Sequence, residues 1–369
     1  MSIDMSAAFA RNARVRSEGL FGFDSSIRLP QYRLLDGATP IHALPRLSAH
    51  LGGANIYVKR DDLGSVGGGG NKLRKLELLI GEALQGGADT VITVGARQSN
   101  HARLTAAAAS RAGLQCEVVL VRSVPREDAD YVESGNVLLD SLFGARVHDL
   151  PACADAMAYA NARADELRAA GRRVYVCPFG GSSPIGCVAY AACAAEIVQQ
   201  SKVAGLHFDR VVVPNGSGGT HAGLVAGFAA LGYGAIEIDA YTVYAPAADA
   251  HRITLDKARQ TTRILNFQGE IAPDAVRVDA SQLGQGYGLP TDSMRSAVRL
   301  LASQEGLLLD PVYSGKAFAG LIEGVTSGRY ASDKNILFVM TGGLPGLFAY
   351  RKEFQAPRNH FAGRQLSRY

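Results

Sequence analysis

Val211-Val212-Val213-Pro214-Asn215-Gly216-Ser217-Gly218-Gly219-Thr220-His221-Ala222-Gly223 passes from a β-branched run through a glycine-rich turn into the start of a helix. The glycines let the backbone expose successive N–H groups, Ser217 and Thr220 add hydroxyls, and a helix start carries a partial positive charge. Such a turn reads as a cup for a phosphate, with a plain tight turn as the bland alternative. It matches neither GxGxxG nor the GxxxxGKS/T pattern, so dinucleotide and ATP readings are weak.

The same rhythm recurs outward along the chain. Ile56-Tyr57-Val58, Thr90 to Val94, Glu117 to Val121, Val174-Tyr175-Val176, Arg210 to Val213, Ile236 to Val243 and Asn335 to Met340 alternate with Ala/Leu-rich stretches. That alternation predicts an α/β protein with parallel sheets covered by helices, and ligands of such folds bind beyond the carboxyl ends of the strands. At 369 residues the chain exceeds the roughly 250 to 300 at which single cores stop growing, so two packed domains are expected.

Composition removes several function classes. Hydrophobic residues at 47% and charged residues at 20% are ordinary globular usage. A net charge of +4 without a dense basic block, and no Trp, leave no nucleic-acid footprint. Cys116, Cys153, Cys177, Cys187 and Cys193 form no CxxC pair, so neither a metal site nor a disulfide framework is expected; they read as small buried hydrophobes in a reducing compartment. The N-terminus has no signal-peptide core, and no apolar run approaches the roughly 20 residues of a bilayer span, so a cytoplasmic protein without a membrane is expected. Residues 1 to about 30 and the tail after Arg351 lack periodicity and read as an arm and a frayed end without a catalytic role.

Three further loops ask for a chemical reason. Gly67-Gly68-Gly69-Gly70-Asn71-Lys72 leads into a helix with Leu73, Leu76, Leu79, Ile80 and Leu84 at helical spacing. The glycines let backbone approach something closely, and a lysine at a helix start has its ammonium disfavoured, which suits the neutral amine of a Schiff-base lysine. Lys75 and Arg74 would push the same way or point to solvent. In Gly95-Ala96-Arg97-Gln98-Ser99-Asn100-His101, Ser99 or Asn100 is at least an N-cap, and with Gln98 the set offers donors for a carboxylate; His101 reads as structural. Gly286-Tyr287-Gly288, Asp310-Pro311-Val312-Tyr313-Ser314-Gly315-Lys316 and Thr341-Gly342-Gly343 follow late in the chain.

In this order the loops resemble the 1-aminocyclopropane-1-carboxylate (ACC) deaminase and D-cysteine desulfhydrase family of pyridoxal 5′-phosphate (PLP) enzymes. The resemblance runs from about Pro40 to Tyr350, through KRDD (59–62), GGNKLRKLE (69–77), QSNHAR (98–103), GSGGTHAGL (216–224), DPVYSGKA (310–317) and TGG (341–343). It implies fold type II, the tryptophan synthase β-like architecture: two open twisted, mostly parallel sheets flanked by helices. The large domain would comprise 1–72 and 185–369, and a smaller inserted domain 73–184. It also implies that Lys72 forms the Schiff base and takes the substrate α-proton. Asn100 would bond the cofactor's ring oxygen, Tyr313 would stack on the ring, and Gly216, Ser217, Gly218, Gly219 and Thr220 would hold its phosphate. Gln98, Ser99, Asn100 and Tyr287 would face the substrate, Ser99 and Tyr287 with catalytic roles.

Ser314 and Thr341 stand where the deaminases resemble DPVYEGK, with a glutamate against the ring nitrogen, and a leucine before GG. Neutral hydroxyls stabilise a pyridinium less than a carboxylate does, which suits β-elimination better than opening a cyclopropane. The expected reaction is therefore PLP-dependent α,β-elimination, D-cysteine giving pyruvate, ammonia and hydrogen sulfide. ACC deamination, L-cysteate sulfo-lyase activity, should Arg97 face the cleft, and a non-catalytic PLP-binding or amino-acid-binding role are the alternatives. Gln285 replaces the proline expected before GYG. The family implies a homodimer acting on a small amino acid.

Overall fold

The computed structural model describes residues 15–331 and 334–355. Its strands are β1 (Val15–Gly19), β2 (Arg28–Tyr32), β3 (Ile41–Ala43), β4 (Asn55–Lys59), β5 (Thr90–Ala96), β6 (Gln115–Val121), β7 (Arg146–Leu150), β8 (Val174–Cys177), β9 (Arg210–Asn215), β10 (Glu237–Thr242), β11 (Arg277–Asp279) and β12 (Asn335–Val339). They form a six-stranded sheet in the order β11-β10-β9-β12-β4-β3 and a four-stranded sheet in the order β7-β6-β5-β8. All pairings in the smaller sheet are parallel, and in the larger one only β3 runs antiparallel, at its edge. This is the expected pair of open, mostly parallel sheets.

The central strands are mostly apolar because both their faces are covered. Every residue of β9 is buried, as are the first six of β5. β9 lies where the strand order divides, with β10 and β11 on one side and β12 and β4 on the other, so its carboxyl end opens on a crevice suited to a ligand.

One helix corrects the sequence reading. The stretch Phe179–Ala204 contains a window of mean hydropathy 1.3 and is long and apolar enough to cross a membrane, yet 72% of that window is buried inside the protein. Its helical part, Pro184–Ala204, packs against the helix Gly219–Ala230 so closely that a Cβ on Gly223 would strike the Cys187 carbonyl oxygen, and one on Gly227 would lie 2.6 Å from Ala191 Cα. It is a core helix whose all-round apolarity reflects burial on every side.

The N-terminal arm is also more than an arm from Val15 onward. β1 and β2 form an antiparallel ribbon, and the chain after it is fastened to the helix Lys72–Gln85 through Glu77, which accepts hydrogen bonds from the Leu34 and Leu35 N–H groups, both at 2.8 Å. Residues 1–14 and the tail from 356 lie outside the described residues.

Candidate active site

Lys72 opens the helix Lys72–Gln85. The four glycines before it all have positive φ, from 59° to 133°. What they approach is the chain itself: a Cβ on Gly69 would collide with the Asp62 carbonyl oxygen, and one on Gly342 would lie 2.8 Å from Gly70 Cα. The Asn71 N–H donates to Thr341 O at 3.0 Å, which ties the lysine loop to the end of β12. Burial, and next the positive charge of Lys257, push the Lys72 amine down to about 8.

Lys75 and Arg74, read as possibly solvent-facing, are both buried. The Lys75 ammonium donates to Ser182 Oγ at 3.0 Å, and burial followed by the charge of Lys72 holds its pKa well below the usual lysine range. Arg74 is committed elsewhere, to Asp61, Glu196 and Thr39.

The glycine turn 216–220 lies between the end of β9 and a helix start, where the sequence suggests a phosphate cup. Gly218, at φ 81°, caps the helix Gly219–Ala230 without any side-chain hydrogen bond, so the first N–H groups of that helix are directed at a ligand. Asn71 Nδ2 donates to Thr220 Oγ1 at 3.0 Å, and Lys257 Nζ donates to Ser217 O at 2.6 Å. A Cβ on Gly219 would lie 2.7 Å from Lys75 Nζ. Three amines and a helix N-terminus around a glycine cup, with two of those amines pushed down by burial and then by a neighbour's charge, fit a phosphate dianion.

A cleft opens above the cup. Its wall includes Lys72, Ser99, Asn100, the cup residues Gly216 to Thr220, Tyr313 and Thr341. Ser99 is the N-cap of the helix Asn100–Ala112, its Oγ accepting from Ala102 N at 3.1 Å, and its O–H proton is not consumed by that bond. Asn100 Oδ1 accepts from Asn136 Nδ2 at 2.9 Å, which leaves its NH2 group to donate. Tyr287 stands behind Tyr313, their hydroxyls 2.7 Å apart, and burial raises both phenols so that they stay protonated at neutral pH.

Other expected residues fall elsewhere. The Gln98 side chain does not line the cleft: its NH2 donates to Tyr131 O and Ser134 O, and its carbonyl accepts from Asn136 N, so it fastens the 131–136 loop instead of facing a substrate. Ser314 is fully buried and gives its one proton to Asp310 Oδ1 at 2.6 Å, so it does not donate to a ring nitrogen; Thr341 is the hydroxyl on the wall. Arg97 is neither inward nor free on the surface, its guanidinium being held by Glu127 and Asp149. His101 does reach the wall, but burial, then the charges of Lys72 and Lys75, keep it neutral, and its Nε2 lies 2.9 Å from Thr93 Oγ1.

The sequence reading missed Asn71, Phe179, Gly180, Ser182, Tyr244 and Lys257 around the site. Lys75 carried a signal, since i and i+3 share a helix face. The Phe179-Gly180 turn follows β8 at another strand-to-loop junction, whereas Lys257 lies mid-helix with nothing local to mark it.

Comparison with known proteins follows from this geometry. The profile of the pyridoxal-phosphate dependent enzyme family matches residues 32–342. A D-cysteine desulfhydrase of Serratia proteamaculans (strain 568) is 44% identical over 329 residues, covering 88% of this chain and 97% of that protein. One of Salmonella choleraesuis (strain SC-B67) is 44% identical over 333 residues, with the same coverage. The crystal structure of an ACC deaminase homologue superposes with a TM-score of 0.79 at 38% identity, over 88% of this chain and 95% of that one. A threonine deaminase, with a TM-score of 0.57 at 19% identity over 83% of this chain and 92% of that one, shares the fold.

Proposed function

Because the chain belongs to the pyridoxal-phosphate dependent enzymes, we propose that it is a carbon–sulfur lyase that converts D-cysteine to pyruvate, ammonia and hydrogen sulfide. The desulfhydrases that it resembles at 44% identity over nearly their whole length support this substrate. The observation that carries the reaction type is the polarity of the wall: Thr341 is there, no carboxylate is among the described lining residues, and the nearby Asp310 is taken up by three N–H groups and Ser314 Oγ. Weak support for ring protonation suits expulsion of a good leaving group.

Bound on Lys72 with its phosphate in the 216–220 cup, PLP supplies the electron sink for the charge left at the α-carbon. Lys75 and Lys257 balance the phosphate. Lys72, with its amine pushed down to about 8, has a neutral fraction near physiological pH and takes the α-proton. Ser99 and the start of its helix orient the substrate carboxylate, Asn100 donates to the ring oxygen, and Tyr313 packs on the ring. The Tyr287–Tyr313 hydroxyl pair hands a proton to the departing sulfur.

The sulfo-lyase alternative depended on Arg97 facing the cleft, and its engagement by Glu127 and Asp149 removes that support. On the proposed reading 1–72 with 185–369 form the larger domain and 73–184 the smaller, and the enzyme works in the cytoplasm as a homodimer. Four buried free cysteines agree with a reducing compartment.

PLP-loaded protein should release sulfide and pyruvate in equal amounts from D-cysteine, and Lys72→Ala should abolish turnover together with the visible absorbance of the bound cofactor. Production of 2-oxobutanoate from ACC without sulfide from D-cysteine would overturn the assignment.

A further inference from the structure

Almost every residue of the cleft wall is buried or half-buried. Phe179 and Tyr244 are the exceptions, at 38% and 51% exposure, so they mark the opening. They come from opposite sides: Phe179 follows β8 at the carboxyl end of the four-stranded sheet, and Tyr244 follows β10 at the carboxyl end of the six-stranded sheet. Their ring centroids are 5.8 Å apart at an interplanar angle of 41°. Tyr244 also meets Tyr287 edge-on at 5.4 Å, and Tyr287 meets Tyr313 at 5.8 Å, so a line of aromatic rings runs from the mouth to the floor.

Neither ring sits on a loose loop. Beside Phe179, Gly180 packs against the Ser217 side chain, and Ser182 Oγ lies 2.7 Å from Ser217 Oγ. Beside Tyr244, the Val243 N–H donates to Asn215 O at 2.9 Å and Thr242 Oγ1 donates to Ala245 O at 2.7 Å. Both backbones are thereby tied, one to the cup and one to the end of β9, and the two rings themselves set the width of the opening.

With the substrate carboxylate held at Ser99 and the start of its helix and its α-carbon beside Lys72, the side chain is left the aromatic side of the cleft. We propose that Phe179 and Tyr244 form a fixed aromatic gate across the cleft mouth that sets the upper size of the amino-acid side chain accepted, admitting a bare β-thiol and excluding β-thioethers with bulky apolar substituents. This rests on the elimination proposed above.

The test compares D-cysteine with S-benzyl-D-cysteine, which with one water gives pyruvate, ammonia and phenylmethanethiol by the same elimination. Tyr244→Ala and Phe179→Ala should each raise the ratio of kcat/KM for the benzyl substrate over that for D-cysteine by about tenfold or more, the scale on which apolar pockets discriminate. Tyr244→Phe, which keeps the ring, should leave the ratio at the wild-type value. An unchanged ratio in both alanine variants overturns the gate. Wild-type holoenzyme that yields no pyruvate from D-cysteine sinks the elimination reading instead. The gate is then judged by binding of D- and L-phenylalanine, which carry no leaving group, followed by the shift of the cofactor's visible band. Tighter binding of either hand in the alanine variants supports it, and unchanged binding of both overturns it.

Discussion

Lys72, Lys75 and Lys257 crowd the proposed anion site, where, after burial, the charge of Lys257 lowers the pKa of Lys72 and the charges of Lys72 and Lys257 lower that of Lys75. A nearby cation lowers a lysine pKa, so removing it raises that pKa. Lys257→Met should therefore move the Lys72 amine up from about 8, and the pH at which apoprotein takes up PLP should rise with it. The rate of appearance of the visible band across a pH series reads this directly; a midpoint that does not move would show that Lys257 does not act on Lys72. Lys72 was legible in the sequence because four glycines adjoin it. Lys75 was legible only as a residue on the helix face of Lys72; its burial was not, because its partner Ser182 lies 107 positions away. Gln98 failed in the opposite direction: the motif located it beside the substrate loop, but side-chain direction depends on the 131–136 segment that captures its amide.

At the scale of elements, the phosphate cup is only as well placed as the helix behind it. Gly219–Ala230 lies on Pro184–Ala204 with Gly223 and Gly227 at the contact, where even a methyl group would push against Cys187, Tyr190 and Ala191. Gly227→Val should wedge the helices apart at a cost of about 1–3 kcal/mol, lowering the denaturation midpoint and, by tilting the cup, speeding PLP release on dilution. Unaltered stability and cofactor retention together would show that the packing is looser than described. The strands β5, β6, β9 and β12 were readable because burial on both faces leaves a largely hydrophobic run. β7 and β11 were not: β7 alternates charged and apolar residues along the margin of its sheet, and β11 is three residues long. β1 and β2 escaped for a related reason, since a short, partly buried strand such as β2 has no need of a continuous apolar run.

Over the whole molecule, the two sheets present their carboxyl ends to one cleft, and PLP held as proposed, with its phosphate on 216–220 and its anchor at Lys72, would join loops from both layers. A ligand that binds only the folded state stabilises it by about 2.7 kcal/mol at one hundred times its Kd. Stripping PLP should accordingly lower the thermal midpoint, and Lys72→Ala should shrink the difference between loaded and stripped protein. Equal midpoints with and without PLP would contradict a bridging cofactor. Two layers and a shared cleft could be inferred from chain length and strand–helix rhythm. Strand order could not, because β4 pairs with β12 across some 280 residues, and no local pattern announces a partner that distant.

The apolar helix Pro184–Ala204 has a consequence for the order in which the protein is made. Two of its covering helices, Gly219–Ala230 and Ala247–Ile264, leave the ribosome after it, so the nascent chain carries a segment with the composition of a membrane anchor while only Lys72–Gln85 of its three main helical neighbours has been made. Until residue 264 has emerged, that apolar segment lacks two of the helices that bury it in the folded protein.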